Sequence, residues 1–280
     1  MAATAFQIQY RQEFVSAFEQ RQSMLSASVT REAVIKGNQA TFLVAGSGAA
    51  TAVTRGVNGL IPARNDDLNQ YTATLVEWHD LVQKTDFNIF ASQGDGRRIM
   101  QETTMGVINR KMDQDILVEL DNGTQDAGNS ASTMSLSLAL RAWTILGNAD
   151  VPVQEEDKMF CIISPAAYSY LMQTKEFASA DYVEVKPFSG PARQYRRWAG
   201  VNWIMHPNVS GAGTAAEKLF MFHRDAIGQA VNTGDMNMAV GVDEEQHYSY
   251  ARCSVYMGSK ILQNTGIVRI NHDGSAYAAT

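Results

Sequence analysis

Residues 40–78 read ATFLVAGSGAATAVTRGVNGLIPARNDDLNQYTATLVEW, and this stretch decides which fold the sequence predicts. Ala40–Val44 and Tyr71–Trp78 are rich in β-branched and aromatic residues, which predicts two strands. The residues between them have the composition of a loop, with glycines, one proline and the run Asn65-Asp66-Asp67. A structureless excursion of this length is uncommon inside a compact domain and is usually functional or disordered. If the two strands pair, the segment is a long hairpin that projects from the body of the protein.

Such a hairpin needs a surface to lie on. An isolated two-stranded hairpin is only marginally stable in water, so an ordered one requires a partner. A neighbouring copy of the same chain is the most economical partner.

A second candidate contact surface lies at the N-terminus. An aromatic residue recurs at every fourth position there: Phe6, Tyr10, Phe14 and Phe18. This spacing predicts a largely polar helix with one aromatic stripe. The stripe packs either on its own domain or, as a terminal arm, on a neighbouring subunit.

Beyond the hairpin, the pattern predicts one long helix and then alternating helices and strands. Arg97–Leu120 is helical by its apolar period of one turn, and Asp121-Asn122-Gly123 is a stop signal. At 1.5 Å per residue this helix is on the order of 35 Å long. A helix through Leu136–Trp143 and a strand at Met159–Ile163 follow, and Ser164-Pro165 is a typical start of another helix. The remaining predicted strands are Val201–Met205, Lys218–Phe222, His247–Tyr250 with Cys253–Tyr256, and Ile267–Ile270.

Composition and charge exclude several classes of protein. The chain has 280 residues, enough for one large domain or two intertwined small ones, and 45% of them are hydrophobic. The formal net charge of −6 argues against a protein that mainly binds phosphate backbones or anionic lipid. No apolar stretch approaches the roughly 20 residues that span a bilayer, so we expect neither secretion nor membrane insertion. Cys161 and Cys253 are interpreted as reduced core residues, although the sequence alone leaves a disulfide between them open.

No residue set in the sequence predicts catalysis, a cofactor or a metal. His223-Arg224-Asp225 matches part of the catalytic loop of protein kinases, but Ala230 stands where that loop needs a metal-binding asparagine. The paired glycines are interpreted as turns, because none continues into a dinucleotide or P-loop motif. Glu245 and His247 are a possible same-face pair on a strand, without an evident third metal ligand. We therefore predict no catalytic, cofactor-binding or metal residues.

One basic and aromatic cluster, Arg193–Trp198, has two interpretations. It could hold phosphates while bases stack on its aromatic rings, or it could form a patch between subunits. The acidic run Asp243–Glu245 offers a complement for the second interpretation. The negative net charge favours the patch between subunits.

The order of these elements resembles the major capsid proteins of tailed bacteriophages, the family with the Hong Kong 97-like fold. The resemblance is one of pattern and covers nearly the whole chain. The residues that carry it are Lys36–Val44 leading into the loop, Arg97–Leu120 with Asp113 and Asp115, Phe160–Tyr168 as strand then helix, and Phe222–Gly228.

The resemblance implies an α+β fold with an N-terminal arm at 1–38 and an extended loop at 39–80. It also implies a peripheral domain with a spine helix at 81–130 and 241–280, and an axial domain at 131–240. The implied function is structural: subunits assemble into pentamers and hexamers of an icosahedral shell around double-stranded DNA.

The implied location is the virion, after synthesis in the host cytoplasm. The implied partners are the chain itself, a portal protein, a separate scaffolding protein, a decoration protein and packaged DNA held by weak non-specific contact. Neither a cofactor nor a membrane is expected.

The sequence departs from the family pattern in one respect. Some relatives join neighbouring subunits through a lysine of the extended loop, but Val44–Tyr71 holds Arg55 and Arg64 and no lysine. We therefore expect no isopeptide bond from this loop. Two alternatives stay open at this point: a soluble α/β enzyme without a recognisable catalytic motif, and a nucleic-acid-binding module that uses Arg193–Trp198.

Overall fold

A computed structural model describes residues 22–32, 37–85, 96–128, 132–178, 195–232 and 237–278. The predicted aromatic stripe at Phe6–Phe18 lies outside these residues. The helices are α1 (Gly96–Leu120), α2 (Leu136–Asn148), α3 (Pro165–Met172), α4 (Lys175–Ala178) and α5 (Ser275–Ala278). The strands are β1 (Thr30–Glu32), β2 (Gln39–Gly46), β3 (Asp67–Thr74), β4 (Val76–Thr85), β5 (Gln125–Asp126), β6 (Met159–Ile163), β7 (Tyr195–Trp198), β8 (Val201–Met205), β9 (Glu217–His223), β10 (Ile227–Val231), β11 (Asn237–Asp243), β12 (Tyr248–Ile261) and β13 (Ile267–His272).

The predicted hairpin is confirmed. β2 and β3 pair in antiparallel register from Gln39 opposite Thr74 to Gly46 opposite Asp67, and they form a sheet of their own. The prediction of one strand over Tyr71–Trp78 is wrong, because the chain breaks at Leu75. The N–H of Leu75 donates to the carbonyl of Asn38 (2.9 Å) at the root of the hairpin. The strand thus leaves the hairpin at this point and enters another sheet as β4.

A five-stranded sheet is built around β12. β4 pairs with one edge of β12, while β10 and β11 share the other edge, and β1 extends the sheet beyond β10. The two segments predicted within His247–Tyr256 are one strand of 14 residues. A strand this long can support two shorter partners end to end on one edge.

A six-stranded sheet has the order β5-β13-β9-β6-β8-β7. Its central strand β6 is buried along its whole length, as the apolar run Met159–Ile163 predicts. The hydroxyl of Ser164 caps α3 by accepting the N–H of Ala167 (3.0 Å), and Pro165 occupies the first turn. Strand, cap and helix therefore follow the local sequence signals.

The chain passes between the two sheets three times, once through α1 from β4 to β5 and twice through short 3₁₀ turns. The 3₁₀ turn Arg224–Ala226 connects β9 to β10, and the 3₁₀ turn Asn264–Gly266 connects β12 to β13. The carbonyl of Ala226 accepts the N–H groups of Leu262 and Gln263, so the two crossings are joined. β10 thus belongs to the five-stranded sheet and β13 to the six-stranded sheet. The division into peripheral and axial domains stays a prediction.

The long helix is confirmed as α1, which has 25 residues. Ile108 and Met112 on α1 pack against Cys253, Val255 and Met257 of β12. This apolar contact covers the middle of β12 on one face of the five-stranded sheet.

Three carboxylates join α1 to both sheets: two lie on the helix, and the third belongs to Asp121, directly after it. Asp115 accepts the hydroxyl of Ser259 (2.6 Å), and Glu119 accepts the N–H of Ile261 (3.0 Å). Just past the helix, Asp121 forms ion pairs with two residues of the other sheet: Lys218 (2.6 Å) and Arg269 (3.4 Å).

Asp113 of α1 holds a third region, the turn that begins the described chain. Its fully buried carboxylate accepts the hydroxyl of Ser23, the N–H groups of Met24 (2.9 Å) and Leu25 (3.2 Å), and Nε2–H of His206 (3.3 Å). Burial raises the pKa of Asp113, but the hydrogen bonds from His206, Ser23 and the two backbone groups outweigh it and lower that pKa. The charged carboxylate therefore stabilises the fold.

We predict that Asp113→Asn lowers the free energy of unfolding at neutral pH by about 1–3 kcal/mol, because it removes the charge and leaves buried donors without an acceptor. Since the folded pKa of Asp113 lies below its ordinary value of 3.8, the difference from the parent should vanish as the pH falls through that folded pKa. Urea unfolding at neutral and acidic pH measures both.

Asp115→Asn is the matched control. Burial raises the pKa of Asp115, so its charged form is less favourable in the folded than in the unfolded chain. An asparagine oxygen can still accept the Ser259 hydroxyl, and we expect a change within about 0.5 kcal/mol. Equal losses in the two variants would contradict the role given to Asp113.

Candidate functional site

The most exposed apolar surface of the described chain lies on the hairpin. Every residue from 45 to 70 is exposed. The six most exposed large hydrophobic side chains of the described residues, each at least 61% exposed, all belong to it: Leu43, Val53, Val57, Leu60, Ile61 and Leu68. A concentration of exposed apolar side chains in one segment is typical of an interaction site, whereas single exposed ones are ordinary.

The end of the hairpin has a local backbone structure of its own. The N–H of Gly56 donates to the carbonyl of Leu60 (3.0 Å), and the N–H of Gly59 donates to the carbonyl of Gly56 (2.8 Å). Gly59 has φ 70°, a conformation that favours glycine. We call Gly56–Leu60 the tip turn. Arg64 and Asp66 form an ion pair (2.6 Å) where the chain returns towards β3.

Two glycines allow the root of the hairpin to touch the five-stranded sheet. A Cβ at Gly258 of β12 would lie 2.2 Å from the carbonyl oxygen of Thr74, and a Cβ at Gly228 of β10 would lie 2.9 Å from the ring of Phe42. Beside them, Ala40, Ala73 and Ala230 form a small buried cluster. We call these two glycines and three alanines the hairpin seat.

Sequence reasoning did not identify the hairpin seat. An isolated glycine inside a strand pattern is the signal for such a close backbone approach, and Gly258 is an example. What approaches the glycine is a segment almost two hundred residues earlier in the chain, so the sequence alone does not name it.

The basic and aromatic cluster is used largely within the chain. Arg193 and Gln194 lie outside the described residues. The guanidinium of Arg196 stacks on the ring of Phe177 (4.2 Å) and donates to the carbonyl of that residue. Arg197 forms ion pairs with Glu156 and Asp157.

One carboxylate of the expected complement, that of Asp243, is also committed to local contacts. One carboxylate oxygen of Asp243 accepts the N–H groups of Glu245 (3.0 Å) and Gln246 (3.1 Å), closing the turn between β11 and β12. These hydrogen bonds lower the pKa of Asp243. That the two regions pair between subunits stays a prediction.

The kinase-like motif is a structural turn. Nδ1 of His223 accepts the N–H of Asp225 (3.2 Å) and so caps the 3₁₀ turn, while the Asp225 carboxylate pairs with Lys158 (3.3 Å). Burial lowers the pKa of His223, although the nearby acids Asp225 and Glu155 act in the opposite direction. All of these contacts hold the crossing from β9 to β10.

The prediction that Glu245 and His247 share a strand is wrong. Both residues lie in the turn before β12, and His247 has φ 51°. Within the part of the chain that the structure describes, no group of three His, Cys, Asp or Glu residues could hold a metal ion.

The structure brings together one trio that sequence reasoning missed: Ser23, Asp113 and His206. In a serine hydrolase the histidine stands between the serine and the acid, because it takes the serine's proton. Here the acid stands in the middle, and Nδ1 of His206 accepts the N–H of Asn208 (3.2 Å). The trio is therefore an anchor for the start of the described chain and not a catalytic arrangement.

The cysteine prediction is confirmed, since Cys161 and Cys253 are both buried and free. Burial raises the pKa of the Cys161 thiol, which disfavours its reactive thiolate form. Among the helices described, none is both long and apolar enough to cross a membrane.

Comparison with known proteins finds one family and a set of similar folds. The family model described as phage capsid protein matches residues 2–274. No curated protein sequence matches the chain.

Three of the similar solved structures are two from phages and the capsid of a GTA particle. A chain of Mycobacterium phage Che8 has a TM-score of 0.75 at 14% identity, over 96% of this chain and 98% of that one. The capsid of cyanophage P-SCSP1u has a TM-score of 0.71 at 14% identity, over 96% and 93% of the two chains. The capsid of a native GTA particle, computed with C5 symmetry, has a TM-score of 0.71 at 10% identity, over 97% and 96%.

The hairpin seat yields a prediction about the hairpin's position. Gly258→Ala should displace the root, because a Cβ there collides with the carbonyl oxygen of Thr74, and lower stability by about 1–3 kcal/mol. Hydrogen exchange of the amides at 73–75 should accelerate.

Gly46→Ala is the matched control, since a Cβ at this hairpin glycine meets nothing within 4 Å. Its exchange at 73–75 should equal that of the parent. Parent-like exchange in Gly258→Ala would show that the seat does not position the hairpin.

Proposed function

The chain belongs to the phage capsid protein family, whose model matches residues 2–274, and from this premise we propose that the hairpin of each subunit lies on a neighbouring copy and joins the subunits into a shell. The protein is a structural capsid component of the virion, and its α+β fold is the Hong Kong 97-like fold of phage capsids. Its role is structural, and we propose that it is not an enzyme.

The observation that supports the proposal is the exposed apolar surface of the hairpin. Six large hydrophobic side chains of the hairpin face solvent in the single subunit, two of them on its strands and four in the loop 47–66. Two strands alone are marginal in water, so an apolar hairpin gains stability by covering this surface. A second copy is the partner available at the highest concentration in a shell of identical subunits.

The length of the hairpin supports a contact beyond its own subunit. β2 has eight residues, which at about 3.4 Å each carry the chain on the order of 25 Å from its root before the loop 47–66 begins. Residues 45–70 are exposed throughout, so they make no extensive contact with their own subunit.

A contact in which one copy gives its hairpin and the next receives it is head to tail. Such contacts close into rings when the rotation between copies divides the circle. This geometry is consistent with the pentamers and hexamers that we propose.

The finer features of the proposal rest on the family alone. They are an icosahedral shell around double-stranded DNA, a portal protein, a separate scaffolding protein, a decoration protein and synthesis in the host cytoplasm. The net charge of −6 supports only weak, non-specific contact with the packaged DNA. The hairpin has no lysine between Val44 and Tyr71, so we propose that its contacts are non-covalent.

The proposal predicts that polar substitutions at the tip turn block assembly without unfolding the subunit. Val57→Ser with Leu60→Ser should change the free energy of unfolding by no more than about 0.5 kcal/mol, because both side chains are exposed. The yield of closed particles, measured by light scattering and electron microscopy, should fall steeply.

The control keeps apolar side chains at the same positions, with Val57→Ile and Leu60→Met. Particles should form at near-parent yield in this variant. If the serine variant also forms normal particles, the hairpin tip is not part of the contact.

A further inference from the structure

The sequence holds two Asn-Gly pairs, Asn58-Gly59 in the tip turn and Asn122-Gly123 after α1. In such a pair the backbone nitrogen of the glycine can attack the side-chain carbonyl of the asparagine. Glycine has no Cβ to obstruct that approach and has a wide conformational range. The surroundings of each pair then decide whether the reaction takes place.

We propose that Asn58 is a site of spontaneous deamidation, a covalent modification that ages the hairpin of free subunits. Asn58 and Gly59 are exposed, and a Cβ at Gly59 would meet nothing within 4 Å. Among the described contacts of the tip turn, two backbone hydrogen bonds hold it, and both lie between exposed residues. Local opening of such a turn costs little free energy, so the Gly59 nitrogen becomes available for attack.

Asn122 is held differently. Its Nδ2 donates to Glu119 (3.0 Å), which fixes the side-chain amide against the end of α1. Gly123 is buried, and a Cβ there would lie 3.0 Å from the side chain of Ile267. The reaction at Asn122 would require the end of α1 to leave β13, so this second pair is an internal control.

The reaction needs only water and proton exchange with solvent. The Gly59 nitrogen loses its proton to solvent and forms a bond to Cγ of Asn58; the bond from Cγ to Nδ2 breaks, and ammonia leaves after taking up a proton. Water then opens the five-membered imide at either carbonyl. The products are aspartate or isoaspartate at position 58, with no change of oxidation state.

Either product changes the surface of the tip turn. A negative charge appears three residues from Arg55, between the exposed side chains of Val57 and Leu60. Isoaspartate also adds a methylene to the backbone inside the turn that Gly56 closes. Deamidated subunits should therefore assemble less well than fresh ones, and this consequence rests on the proposed function of the hairpin.

The experiment incubates free subunits and assembled particles at mildly alkaline pH and follows both asparagines by trypsin digestion and mass spectrometry. Cleavage at Arg55 and Arg64 releases residues 56–64, which contain Asn58. In free subunits Asn58 should deamidate about tenfold faster than Asn122 or more, because the tip turn opens more easily. Similar rates at the two positions, or a faster rate at Asn122, would overturn the proposal.

Two further arms separate this proposal from the function of the hairpin. Asn58→Gln should abolish the modification of 56–64, because a larger ring would have to form; a modification that persists places the reaction elsewhere and overturns the proposal. In particles, a slower rate at Asn58 supports a covered tip. Equal rates in particles and free subunits would contradict docking of the tip, while the faster rate at Asn58 than at Asn122 would still establish the modification.

Discussion

The arrangement of this subunit depends on the carboxylates in the second half of α1 and just past its end. Asp113 binds both the first described turn and His206. Asp115 and Glu119 bind the end of β12. Asp121 binds β9 through Lys218 and β13 through Arg269. A helix is stiff over this length, so contacts at successive turns place both sheets relative to one axis. The two crossings through 3₁₀ turns are joined at the carbonyl of Ala226, which couples the position of one sheet to that of the other.

The arrangement of α1 and the two sheets sets the direction of the hairpin. β3 leads directly into β4, which pairs with β12 under α1, and the hairpin seat brings Thr74 and Phe42 against Gly258 and Gly228. The root therefore packs closely on the five-stranded sheet, while residues 45–70 project with their apolar side chains exposed. A capsid protein must contact identical copies at defined angles. Close packing of the root sets the direction in which the hairpin leaves its own subunit, and therefore the angle at which it meets a neighbouring copy.

Local signals in the sequence predict the elements, and long-range contacts decide how they join. The period of α1, the Ser164-Pro165 start of α3 and the turn composition of the hairpin act over a few residues, and these predictions are confirmed. The break at Leu75 is not visible locally, and it lies beside the long-range approach of Thr74 to Gly258. The acids Asp113 and Asp115 stand out in the sequence, but their opposite pKa directions depend on partners about ninety and 144 residues away. The prediction that Glu245 and His247 share a strand is wrong. The positive φ of His247, which belongs to a turn, is not apparent from the residue types alone.

The most direct test of this account is an electron cryomicroscopy reconstruction of the assembled particle at side-chain resolution. The account predicts that residues 47–66 of each subunit lie on an adjacent copy, with Val57, Leu60 and Ile61 covered by that copy and the root still seated on Gly228 and Gly258. A reconstruction in which the hairpin folds back on its own subunit, or leaves these side chains exposed to solvent, would contradict it.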